Sequence, residues 1–69
     1  MENKVLKQKR KAAGMTQLEV AQKVGITDIG YLNYEQGKRE PKIGTAIKIA
    51  DVLGVKDLRE LWRDTAKTL

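Results

Sequence analysis

With neither cysteine nor histidine among its 69 residues, this chain does chemistry only through carboxylates, amines, guanidinium groups, amides and hydroxyls. That set excludes disulfides, thiolate nucleophiles, most zinc sites and imidazole proton transfer near neutral pH. Carboxylates such as Glu19 and Asp51 are accounted for by helix caps and solvent, and so short a chain encloses little pocket volume. No enzyme, cofactor or metal is expected. Cations are the residues in excess: fourteen Lys and Arg against nine Asp and Glu leave +5, a balance that favours polyanions, nucleic acid first. The excess is uneven, with nine basic and five acidic residues over 1–42, and five and four over 43–69. In the basic part Lys9 and Lys11 flank Arg10, and Lys38, Arg39 and Lys42 surround Pro41, the only proline. Lys4, Lys23, Lys48 and Lys67 read as solvated charges.

The elements that must position these cations are helices. No segment alternates apolar and polar residues with period two, and single glycines punctuate the chain into five short helical segments. A first helix is predicted over about 2–13, with Val5, Leu6, Ala12 and Ala13 apolar and Gly14 as its left-handed stop. Thr16-Gln17-Leu18-Glu19 is a capping box opening a second helix, Gln17 to Val24, that buries Val20, Ala21 and Val24. Thr27 caps a third, Asp28 to Gln36, closed by Gly37. A fourth spans Ile43 to Leu53, burying Ala46, Ile49, Ala50 and Leu53, with Gly54 beyond it. Asp57-Leu58-Arg59-Glu60 reads as another capping box, opening a fifth helix with Leu58, Leu61 and Trp62 on one face. The class is all-α, one domain over 1–69. The apolar runs are short and no apolar signal region follows Met1, so a cytoplasmic protein away from membranes is expected.

Only Gly25-Ile26-Thr27 separates the second and third helices, the short glycine-containing turn that lets one helix cross another steeply. The third helix carries few charges, while basic residues stand on either side of it in the first helix and in the 38–42 connector. That pattern fits a reading helix between phosphate-binding shoulders. Lys38, Arg39 and Lys42 are the candidate phosphate contacts, with Lys9 and Lys11 behind them.

Leu6, Arg10, Gly14-Met15-Thr16-Gln17, Val20-Ala21, Gly25-Ile26-Thr27, Asn33 through Pro41, Ile49-Ala50 and Leu53-Gly54-Val55 together resemble the phage-repressor and Cro-like helix-turn-helix family over about residues 5–62. The resemblance implies a five-helix lambda-repressor-like fold, with the helix-turn-helix at about 17–36. It also implies a regulator, a repressor by preference, that binds a palindromic operator in double-stranded DNA as a homodimer. It places Gln17 and Thr27 on the DNA backbone. Asp28, Ile29 and Asn33 fall at the outward positions of the reading helix, where asparagine pairs with adenine, isoleucine meets a thymine methyl and aspartate accepts from cytosine. Asp28 reads equally as a first-turn residue that suits the helix dipole. Family members commonly carry polar or basic residues where this chain has Asp28, Ile29 and Gly30. The resemblance also pairs Arg10 with Glu35 beneath the reading helix, and sets Tyr31 and Tyr34 facing inward. A self-complementary surface is expected from Val55, Leu58, Leu61 and Trp62, with Trp62 at the border of core and interface. The competing reading is a protein-interaction module on the same fold, an antitoxin or coactivator-like adaptor with a protein partner, favoured by Ile29 and Leu32.

Overall fold

The computed structural model describes residues 2–62, all helix and turn, with no strand among them. Four α-helices follow in order: α1 (Lys4–Ala12), α2 (Gln17–Val24), α3 (Asp28–Glu35) and α4 (Ile43–Leu53); a single 3-10 turn at Leu58–Glu60 comes after them. The fifth α-helix expected from residue 57 is therefore not seen over the described residues. Its cap is present in part, because the Asp57 carboxylate accepts the Arg59 amide at 3.0 Å. The same carboxylate also holds the Arg59 guanidinium at 2.9 Å, and the Glu60 amide returns to the Asp57 carbonyl at 3.0 Å, but no Glu60 side-chain bond to the Asp57 amide completes a capping box. The 3-10 winding places Leu58 and Leu61 one above the other, both facing the core.

Local sequence explains the other boundaries. The Thr16 hydroxyl accepts from the Glu19 amide at 3.1 Å, and Glu19 Oε1 accepts from the Thr16 amide at 3.0 Å, which satisfies two first-turn donors of α2 reciprocally. Those bonds, backbone first, hold the Glu19 carboxyl below its usual range. Thr16→Ala is expected to cost about 1 kcal/mol in urea-monitored stability, the usual loss for a helix cap. At the other end Gly25 adopts φ +86°, and the amides of Gly25 and Ile26 both return to the Ala21 carbonyl, at 2.9 and 3.0 Å. A residue with a Cβ would be strained there, so glycine sets where α2 stops and where the chain turns into α3.

α1 is shorter than its sequence pattern predicts. Asn3, inside the expected helix, is its N-cap, accepting the Leu6 amide at 3.0 Å. Of the four apolar positions only Leu6 is buried; Val5, Ala12 and Ala13 are exposed. Leu6 and Arg10, one turn apart, form the whole inward stripe of this helix. α2 packs on both α3 and α4, and the core collects Leu6, Val20, Ala21, Val24, Tyr31 and the apolar face of α4, Ala46, Ile49, Ala50 and Leu53. Val55, Leu58, Leu61 and Trp62 complete it.

That last group bears on the expected dimer surface. The four residues assigned to a dimer seam are 7%, 9%, 7% and 3% exposed within one chain. A domain this small has few apolar side chains to spare from its own core. Within one chain the stripe faces the core, and Trp62 packs there with it.

Candidate nucleic-acid interface

Two links hold α3 in place. The first is the Arg10–Glu35 pair, with Arg10 Nε donating to Glu35 Oε2 at 2.6 Å and Nη2 to Oε1 at 3.3 Å, both residues buried. Arg10 also donates from Nη1 to the Met15 carbonyl at 2.9 Å, so one guanidinium joins α1, the loop before α2 and the end of α3. Burial opposes the Glu35 charge, but hydrogen bonds from Arg10 and Gln17 and the Arg10 charge prevail and hold the carboxyl below its ordinary range. Tyr31 Oη lies against the same pair, buried and outside good hydrogen-bond geometry. Burial first, and the Glu35 carboxylate next, push its ionisation well above the usual phenol range. Both tyrosines face inward as expected, Tyr31 fully buried and Tyr34 packed on the core edge.

The second link runs through Asn3. Its amide donates to the Glu35 carbonyl at 2.8 Å and its side-chain Nδ2 to the Leu61 carbonyl at 3.0 Å, tying the last turn of α3 to both ends of the described chain. Sequence reasoning missed this residue. The available signal was an asparagine, a strong N-cap type, directly before the first helical residue.

The outward side of α3 carries the predicted readers. Asp28 is exposed and Ile29 is 67% exposed, more than the other large exposed hydrophobics Val5, Leu18 and Ile47; Asn33 is half-buried. Thr27 is exposed, and its hydroxyl accepts the Gly30 amide at 3.0 Å, so the same oxygen that would face a phosphate also caps the helix. A Cβ at position 30 would come within 2.9 Å of that hydroxyl. Gln17, half-buried, donates Nε2 to Glu35 Oε1 at 3.2 Å, which makes it a positioned side chain in contact with the ion pair. Its amide oxygen and second hydrogen stay available to a ligand.

The cations divide. Lys38 and Arg39 are exposed, and their backbone amides return to the Asn33 carbonyl at 3.0 and 3.4 Å, so this connector folds back onto the last turn of α3. Lys42 is exposed and is the N-cap residue of α4. Lys9 is half-buried and Lys11 exposed, both in the last turn of α1, on either side of the inward Arg10. The fold thus brings Lys38 and Arg39 to the end of α3. Lys9 and Lys11 are attached to it through the helix that carries Arg10.

Two helices joined by a three-residue turn, the second locked from beneath and presenting a short polar and apolar face with cations at its end, define a helix-turn-helix domain. The helix-turn-helix family model matches residues 6–61, and the chain belongs to that family. Among curated proteins, the chain is 44% identical over 50 residues to the SPbeta prophage-derived uncharacterized HTH-type transcriptional regulator YonR of Bacillus subtilis, covering 72% of this chain and 46% of that protein. It is 38% identical over 50 residues to the cryptic phage CTXphi transcriptional repressor RstR of Vibrio cholerae, covering 72% and 45%. An uncharacterized HTH-type transcriptional regulator of Methanothermobacter thermautotrophicus is 35% identical over 66 residues, covering 91% and 96%. The chain thus spans about half the length of the Bacillus and Vibrio relatives and nearly all of the archaeal one. No solved structure gives a significant match.

Proposed function

We propose that this chain is a sequence-specific regulator of transcription, a repressor, that sets α3 in the major groove of a palindromic operator and binds as a homodimer. The carrying observation is the outward face of α3, with Asp28 and Ile29 exposed and Asn33 half-buried, locked to α1 by a buried ion pair and adjoined by Lys38 and Arg39. The relatives named as regulators and a repressor support the same reading. One domain contacts few base pairs, and a two-fold pair of domains doubles the site and sets half-sites about one helical turn apart. No described helix is long and apolar enough to cross a membrane, and a cytoplasmic location fits the proposed role. The chemistry needs no cofactor, because recognition uses hydrogen bonds, methyl contacts and phosphate charge.

Binding to DNA selected from a random pool tests the proposal. Lys38→Ala and Arg39→Ala are each expected to weaken all sequences by a similar factor. In a salt titration the slope of log K against log salt should fall by about 0.9 for every phosphate that is no longer neutralised. A variant that shifts base preference and keeps the wild-type slope would place these cations elsewhere. The second reading, a protein-interaction module, draws on exposed Leu18 and Ile29, 51% and 67% accessible. Such a module enriches no palindrome from the pool.

A further inference from the structure

The outward residues of α3 also set the class of operator, an inference that rests on the DNA-binding reading above. In helix-turn-helix complexes the N-terminal residues of the second helix meet the base edges. In α3 those residues are Asp28 and Ile29, since Gly30 has no side chain and Tyr31 is fully buried. One turn on from Ile29, at helical spacing i+4, stands Asn33, so the two share a stripe. The Asn33 carboxamide has no hydrogen bond among the described residues and is open to a ligand. The sequence of α3, DIGYLNYE, contains no lysine or arginine; Arg10 beneath it is taken up by Glu35, and the next cations along the chain are Lys38 and Arg39, beyond its C-terminal end. The commonest direct contact to guanine, a cation on O6 and N7, is therefore missing from the helix. Asp28 reinforces this, because a carboxylate offers only acceptors and guanine presents only acceptors at that edge.

We infer that α3 selects its half-site through a thymine methyl group seated on Ile29 and an adenine held by Asn33, so that the operator is A·T-dominated and its affinity depends on a methyl. Ile29 is exposed apolar surface in the free protein, and the C5-methyl of thymine is the one apolar group on a major-groove edge. Covering the two against each other removes both from water. Asn33 supplies a donor and an acceptor to adenine N7 and N6. Asp28 admits cytosine, read at N4, as the one member of a G·C pair that suits it.

The experiment selects operators with the purified chain from random double-stranded DNA. Each thymine of the selected half-site is then replaced singly by deoxyuridine, which removes the methyl and keeps the base pair. One replacement is expected to weaken wild-type binding about four-fold, the effect of one buried methyl group. The same replacement should have no effect on Ile29→Ala, whose exposed site lets it fold as the parent does. Asn33→Ala should lose about ten-fold and relax the preference for one adenine. A guanine-dominated site, or wild-type binding indifferent to every deoxyuridine, overturns the inference and leaves the DNA-binding reading standing. If no sequence is enriched, both fall.

Discussion

Glu35→Ala is expected to destabilise the domain by about 3–5 kcal/mol, the usual cost of removing one partner from a buried ion pair. That is a large share of the stability such a small domain has. The cost arises because Arg10 Nε and Nη2, now bonded to the carboxylate, would be left in a site that is largely closed to water. Gln17 would lose its bond to Glu35 in the same change, and α3 would lose its lock on α1. Denaturation followed by circular dichroism measures the loss. Replacing Arg10 and Glu35 together by well-packed apolar residues should restore much of it, since the pair fixes geometry more than it adds net stability. A single Glu35→Ala variant that melts like the parent would show that the pair carries none of the fold.

The same pair gives stability a pH dependence of definite sign. Native Glu35 ionises below its ordinary value of 4.5, so its contribution is fully present above that value and is lost as pH falls through the native one. The stability gap between wild type and Glu35→Gln, which cannot titrate there, should be constant near neutral pH and shrink in acid below about pH 4.5. A gap that widens in acid would reverse the sign of the argument.

Trp62→Ala is expected to cost about 3–5 kcal/mol, the range for truncating a large aromatic in a core. Trp62 is 3% exposed in one chain and shares the core with Leu58, Leu61 and Val55. The loss should appear as a lower melting temperature even at dilutions where the chain is monomeric, because the side chain packs within one chain. If Trp62→Ala keeps its melting temperature and loses only self-association in sedimentation, the residue lies on a seam after all.

The contrast between Trp62 and the helix-turn-helix marks where sequence reading stops. The limits of α2 and α4 follow from signals close to each boundary: the Thr16–Glu19 box, and glycines at 25 and 54 in the left-handed region. α3 starts at its Thr27 cap as its sequence predicts, ending one residue early at Glu35. The Arg10–Glu35 pair was legible through the family resemblance, and so were the outward positions 28, 29 and 33, which fall on the open side of α3.

Other features depend on what stands opposite in space. Periodicity marks 55–62 as an apolar stripe but does not say whether it meets a second copy or its own core. α2, α4 and the folded-back chain supply that core, so the stripe is consumed within the monomer. Val5 and Leu6 are equally apolar neighbours, and only the seating of α1 on α3 buries one and exposes the other. Asn3 bonds to Leu61 across 58 positions, and Gln17 to Glu35 across 18. The sequence by itself determined α2, α3 and α4 and the threonine and glycine caps at their ends, because those hydrogen bonds close within a turn. Only the tertiary structure decided burial and the long-range polar links, because these are set by groups far apart along the chain that packing alone brings into contact.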